Sequence, residues 1–262
     1  MINLKEIPCY CINLDNRPGR LNSFLRQPGI KDIPFTRFSA VDGSRIPILN
    51  NPQISNNTKS NITFGKRRSH GEINTPGAIG CSLSHYAVWK KFLETKEAPY
   101  CLVLEDDAGI PGDFYTSFTK ASEDLKEIES FDVWCITYKL VDKNLRLVSN
   151  SWNSPVYFWG TSCYIISRQG AQKLMEGFFP IECHLDKYMC LRNSLRHIKL
   201  ITHSTFKGYT ITLGSDIQVG SCDLCNLPDK FGREVITKDY ILYSIFTYSI
   251  IVTLLFAASI KE

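Results

Sequence analysis

Three carboxylates in a row, Glu105, Asp106 and Asp107, close an apolar run at residues 101–104 (YCLVLEDDAGIP over 100–111), and the breakers Gly109, Pro111 and Gly112 follow. Acids this close repel one another unless water screens them or a cation satisfies them. Hard cations such as Mg²⁺ and Mn²⁺ take carboxylate oxygens and are commonly shared with phosphates. Taken alone, the stretch reads either as a metal-diphosphate site or as a solvated turn. Its apolar part is short and bounded by turn residues, the pattern of a strand buried on both faces of a parallel sheet. The acids then stand at the carboxyl edge, where open α/β sheets bind ligands.

Two other stretches put polar groups where such an edge needs them. Residues 9–14 read as a strand, followed by the turn DNRPGR (15–20) and a helix carrying Leu21, Phe24 and Leu25. Asp15 or Asn16 suits the helix cap and Pro18 its first turn. Arg17 and Arg20 form either a phosphate cradle, because arginine pairs bidentately with phosphate, or a solvated surface. A helix over 77–95 sets Cys81, Ser84, His85, Val88 and Phe92 on one stripe. Ser84 and His85 interrupt that apolar face. They are either satisfied core groups or the wall of a ligand site at the helix N-terminus, where the dipole favours anions.

The remaining pattern supplies the frame. Strands are predicted at 34–41, 132–138 and 161–166, and helices over 113–128, over 167–178 and after Pro180, the last carrying Asp186. Residues 44–76, rich in Asn, Ser, Pro and Gly, read as a long loop whose run Lys66, Arg67, Arg68 is a solvated face. Residues 140–154 read as a hairpin or loop. The alternation of strand and helix predicts an open, mostly parallel α/β sheet flanked by helices.

The 262 residues suffice for one sizeable domain, and 44% hydrophobic with 12% aromatic content excludes a disordered chain. A net charge of +4, spread along the chain, gives no sign of nucleic-acid binding. Of the ten cysteines, Cys9, Cys11, Cys101, Cys135 and Cys163 lie in strand-like runs, which fits a reduced protein better than a disulfide framework. Cys222 and Cys225 form a CxxC that reads as a structural zinc ligand pair or as a local loop pair. Residues 1–14 lack the apolar centre of a signal peptide. Residues 240–260 hold no charge, and as a helix they span about 31 Å, enough for a ~30 Å hydrocarbon core. The expectation is a domain over 1–229, a linker at 230–239 and a transmembrane tail anchor at 240–260, with the main domain on the cytosolic side.

The segments CINLDNRPGR (11–20), FSAVDG (38–43), GAIGCSLSHYAVWKKF (77–92), CLVLEDDA (101–108), WGTSCYIISRQGAQKL (159–174), PIECHLDKYM (180–189) and SDIQ (215–218) together resemble glycosyltransferase family 25. That family includes bacterial lipooligosaccharide galactosyltransferases and collagen hydroxylysine galactosyltransferases. The resemblance implies a GT-A fold and inverting transfer of a hexose, most often galactose from UDP-galactose, to a hydroxyl of a glycan, lipid-linked glycan or protein. It implies that Asp106 and Asp107 hold Mn²⁺ or Mg²⁺ with Glu105 beside them. Asn13, Asp15, Arg17 and Arg20 would line the uridine and diphosphate end, and Ser84 and His85 would face the donor. Asp186 is the implied general base and Asp216 the second candidate. The family's later acid usually follows Pro-Val or Pro-Ile directly, a slot held here by Glu182. The alternative is a membrane-tethered protein that keeps the fold for nucleotide-sugar binding or assembly without transfer.

Overall fold

A computed structural model describes residues 1–95, 97–140, 145–206, 217, 222 and 223. The described elements run β1 (Cys9–Asn13), α1 (Pro18–Leu25), β2 (Thr36–Ser39), α2 (Asn56–Phe64), α3 (Pro76–Glu94), β3 (Tyr100–Glu105), α4 (Phe114–Glu123), β4 (Val133–Leu140), β5 (Leu145–Leu147), β6 (Trp152–Pro155), β7 (Phe158–Ser167), α5 (Arg168–Met175), α6 (Leu185–Ser194) and β8 (Leu200–His203). The strands form one sheet in the order β2-β1-β3-β7-β4-β8-β6-β5.

The sheet is mixed, which corrects the expected mostly parallel one. β1 pairs in parallel with β2 and β3, and β4 with β8, whereas β7 lies antiparallel between β3 and β4. The hairpin of β5 and β6 extends the far edge, antiparallel to β8. The misreading has a physical cause. Helices cover both faces of the central strands, so β7 is apolar on both sides whichever way it runs.

Strand alternation sorts the core. Cys101 and Val103 of β3 point to the face packed by Val88, Trp89 and Phe92 of α3, while Leu102 and Leu104 point to the face packed by Phe24 of α1 and Phe118 of α4. Helix α3 begins where Thr75 Oγ1 accepts from the Ala78 N–H at 3.3 Å, with Pro76 in its first turn. Its start is locked against the turn after β2. A Cβ added at Gly80 would lie 2.5 Å from the Val41 carbonyl oxygen, and one at Gly43 would collide with the Pro76 carbonyl.

The expected long loop at 44–76 contains helix α2. Ser55 Oγ accepts from the Thr58 N–H at 3.1 Å at one end, and Gly65, at φ 62°, closes the other in the left-handed conformation. The helix is polar almost all round, so its pattern carried no stripe to read.

The chain divides into two units, Met1–Gly65 with Gly71–Val219, and Lys66–His70 with Gly220–Glu262. In the second, the Asp223 N–H donates to the Arg67 carbonyl at 3.1 Å, and Arg67 is buried, not solvated as expected. Cys225, the second member of the CxxC, lies outside the described residues, and the described cysteines are all free thiols. The expected transmembrane helix and the tail-anchored, cytosol-facing placement are also corrected. Among the described residues no helix is long and apolar enough to cross a membrane. The longest, α3, carries Ser82, Ser84, His85, Lys90, Lys91 and Glu94, and residues 230–262 lie outside the described set.

The contact of α3 with the 41–43 turn yields a stability prediction. Gly80→Ala must push apart two backbone segments, at a cost of about 1–3 kcal/mol. Urea unfolding should show a lower midpoint at unchanged slope.

Candidate active site

The three acids leave β3 in different directions, because alternate residues of a strand face opposite sides. Glu105 turns to the α3 side. There its Oε1 meets His85 Nε2 at 3.2 Å and accepts from Thr161 Oγ1 at 3.1 Å. Asp106 turns to the α1 side, where Asn13 Nδ2 donates to its Oδ2 at 2.7 Å and Arg20 Nε to its Oδ1 at 2.8 Å. Arg20 also donates to Asp107 Oδ2 at 2.9 Å, so one guanidinium bridges two carboxylates. All of these except Thr161 border a cleft of about 500 Å³ walled by the ends of β1 and β3, the 40–44 turn and the start of α3.

A buried hydrogen-bond chain sets the state of His85. Trp89 Nε1 donates to the Tyr164 hydroxyl at 2.9 Å, and that hydroxyl lies 2.8 Å from His85 Nδ1. An indole nitrogen can only donate. The tyrosine oxygen therefore accepts from Trp89; when its own proton turns to Nδ1, the histidine proton sits on Nε2, facing Glu105. Cys81 Sγ, a His85 nitrogen and a Glu105 oxygen come within 4.8 Å of one another. With its proton on Nε2, His85 pairs with Glu105 there. For a hard cation the carboxylate oxygens are the better donors.

The charge balance of the cluster is negative. Burial pushes the Asp107 carboxyl up to about 7, with the Glu105 and Asp106 charges adding to the rise and Arg20 opposing it. Glu105 moves the other way. Its burial is outweighed by the hydrogen bonds from His85 and Thr161 and the charge of Arg20, so its carboxyl is lowered.

The structure distributes the sequence-predicted residues unevenly. Asn13, Arg17, Arg20, Ser84, His85, Glu105, Asp106 and Asp107 all border the cleft. Ser84 does so with its hydroxyl engaged, donating to the Gly80 carbonyl at 2.6 Å and accepting from the Val41 N–H at 2.8 Å. Asp15 is 71% exposed and stands outside the cleft lining. It holds Arg37 at 2.5 Å and Ser39 at 2.8 Å, and Arg37 Nε in turn donates to Asn13 Oδ1 at 2.9 Å. Asp186, in the first turn of α6, accepts from the Gly160 N–H at 3.0 Å. Its carboxyl is raised by burial, with the backbone bonds of Gly160 and Lys187 opposing and the Glu105 charge adding. Glu182 is exposed and lines a separate cleft with Tyr188 and Leu195. Asp216 lies outside the described residues, although its neighbour Ile217 borders the main cleft and accepts from Thr75 Oγ1 at 2.8 Å. Sequence reasoning missed Trp89, Tyr164, Thr161 and Arg37 as site residues. A tryptophan one turn after His85 was the only local signal.

With this geometry in place, comparison with known proteins assigns the family. The model of glycosyltransferase family 25 (LPS biosynthesis protein) matches residues 6–189, and the chain belongs to that family. It is 30% identical over 170 residues to a glycosyltransferase 25 family member of Aedes aegypti, covering 64% of this chain and 27% of that one. It is 30% identical over 174 residues to procollagen galactosyltransferase 2 of Homo sapiens, covering 63% of this chain and 27% of that one. Procollagen galactosyltransferase 1 of Danio rerio is 28% identical over 176 residues, with 63% and 28% covered. The chain thus spans little more than a quarter of the length of these relatives.

The raised Asp107 carboxyl makes a stability prediction. Its folded-state pKa of about 7 lies above the ordinary 3.8, so its charge penalises the fold above that range and the penalty fades as pH falls through it. In chelator at pH 8, Asp107→Asn should stabilise the protein by on the order of 2 kcal/mol. Below the ordinary carboxylate range the gain should vanish. Denaturant melts at the two pH values check both.

Proposed function

We propose that this chain is a glycosyltransferase that moves a hexose, galactose from UDP-galactose, onto a hydroxyl of a glycan, lipid-linked glycan or protein. The observation that carries the reading is the carboxylate cluster of Glu105, Asp106 and Asp107, bridged by Arg20 at the edge of a cleft of nucleotide size in a family 25 chain. The human and zebrafish relatives, both procollagen galactosyltransferases, favour galactose, and the family's link to LPS biosynthesis favours a glycan acceptor.

Each part of the cleft has a role in this reading. Ile12, Ala40, Val41 and Ile217 give it an apolar wall against which a base can lie, and Asp42 and Asn16 offer polar groups for a ribose. Arg17 and Arg20 face the diphosphate, where guanidinium groups pair with phosphate oxygens. The donor chemistry also fits a divalent cation. The cluster consists of hard oxygen atoms, a guanidinium already stands in as a cation, and Asp107 is still raised beside it. Glu105, Asp106 and Asp107 would hold Mn²⁺ or Mg²⁺, whose charge when bound offsets that building on the departing diphosphate. Asp186 is the base. Its raised carboxyl suits a group that takes the acceptor hydroxyl proton as the new oxygen-carbon bond forms and the anomeric carbon-phosphate oxygen bond breaks. Attack from the side opposite the leaving group inverts the anomeric centre.

Two measurements test the reading. With the full chain and Mn²⁺, free UDP should accumulate from UDP-galactose faster than from other UDP-sugars, and excess chelator should stop it. Binding of UDP with no turnover of any sugar donor would instead favour a nucleotide-sugar-binding protein. Asp186→Asn should lower transfer by about 10²–10⁴-fold while UDP affinity, read by calorimetry, stays within about threefold of wild type. Near-normal turnover in that variant would remove Asp186 from the base role.

A further inference from the structure

We infer that Gly160 and Thr161 are positioning residues that set the base against the diphosphate site: the Gly160 N–H holds Asp186 while the Thr161 hydroxyl holds Glu105, so a bulge in β7 fixes the two acids relative to each other. The inference rests on the reading of Asp186 as the base and goes beyond it by naming what orients that carboxylate.

The local structure comes from the pairing of β4 with β7. Lys139 pairs with Trp159 and Thr137 with Cys163, so β4 advances two residues where β7 advances four. Such a bulge bends its strand and re-aims the residues within it. It is pinned by Thr137 and Ser162, whose hydroxyl oxygens lie 2.6 Å apart. Within it Gly160 stands at φ 96°, in the left-handed region that glycine enters without a Cβ clash. A Cβ added there would meet no atom of the described residues within 4 Å. The backbone angle, not a lack of space, calls for glycine.

That angle has a use. The Gly160 N–H donates to Asp186 Oδ2 at 3.0 Å, and the Lys187 N–H donates to Oδ1 at 2.7 Å. Each oxygen thus takes one main-chain donor, which fixes the plane of the carboxylate. An ionised carboxylate has about four acceptor sites, so each oxygen keeps one for an acceptor hydroxyl. One residue further on, Thr161 Oγ1 donates to Glu105 Oε1 at 3.1 Å. Two consecutive residues of one strand therefore grip the base and an acid of the diphosphate site. Proton removal and departure of the diphosphate belong to one displacement, so the spacing of its two ends matters. A misplacement of about 1 Å can cost ~10²-fold in rate.

Release of UDP from UDP-galactose by the full chain with Mn²⁺, water serving as the acceptor, tests this. Gly160→Ala must leave the left-handed angle, which turns the N–H off Asp186. Its kcat should fall about 10–100-fold, while UDP affinity, read by calorimetry, stays within about threefold of wild type. The acid limb of its kcat/KM profile should also move to higher pH, because the lost N–H favoured the ionised carboxylate. A glycine needed only for folding would leave that limb in place. The charges that reach Asp186, on Glu105 and Lys187, are common to wild type and variant, and burial keeps the thiols of Cys81, Cys135, Cys183 and Cys190 protonated. Asparagine tolerates positive φ better than alanine. Gly160→Asn should therefore fall between alanine and wild type, and it carries the same comparison if the alanine variant does not fold. Thr161→Val should lower kcat, and Thr161→Ser, which keeps the hydroxyl, should restore it. An unchanged kcat and acid limb in the Gly160 variants of an enzyme that Asp186→Asn inactivates would overturn the positioning and leave the base reading intact. Near-normal turnover in Asp186→Asn would overturn the base reading, and the positioning with it.

Discussion

Glu105, Asp106 and Asp107 stand on consecutive residues at the end of a strand whose central side chains are buried, and like charges in so little water raise one another's energy steeply. Much of the surrounding architecture answers that repulsion. The pleat of β3 sends Glu105 and Asp106 to opposite sides, so these two meet different partners. Glu105 meets an imidazole N–H and a hydroxyl on the α3 side. Asp106 meets an amide and a guanidinium on the α1 side. Asp107 receives the second arm of the same guanidinium, but burial and the neighbouring acid charges outweigh it, so its carboxyl is raised while that of Glu105 is lowered.

The supports behind these partners are as ordered as the partners themselves. The imidazole is oriented by Tyr164, which Trp89 orients in turn, and all three side chains are fully buried. The amide of Asn13 is held by Arg37, which Asp15 and the β2 backbone position from the outside. Arg20 is the more exposed donor of the set, on a short helix.

How much of this could be read from the chain depended on distance along it. The acid run ending β3, the helix carrying Ser84 and His85, and the turn carrying Arg17 and Arg20 were legible because each signal is local. Periodicity showed His85 as an odd polar group on an apolar stripe; it is a satisfied core group that also borders the cleft. Its hydroxyl partner lies 79 residues away on β7, beyond any local pattern. The different surroundings of Glu182 and Asp186 are likewise spatial. Both are acids after Pro180, but the turn into α6 leaves Glu182 on another cleft and sets Asp186 where the Glu105 charge reaches it. Helix α2 escaped notice because it is polar almost all round. Strand β8 escaped because its four residues are too few to show a period.

By itself the sequence determined the chemistry at hand and the presence of alternating strands and helices, since residue type and short-range periodicity carry both. It determined the family as well, through the order of its motifs. Only the tertiary structure decided that β7 runs antiparallel between β3 and β4, that Asp15 supports Asn13 through Arg37 instead of lining the cleft, and that Arg20 bridges two of the acids. Strand direction, reach and partnership are set by which segments pack side by side. Packing is a property of the folded chain as a whole, and a strand buried on both faces presents the same apolar run whichever way it points.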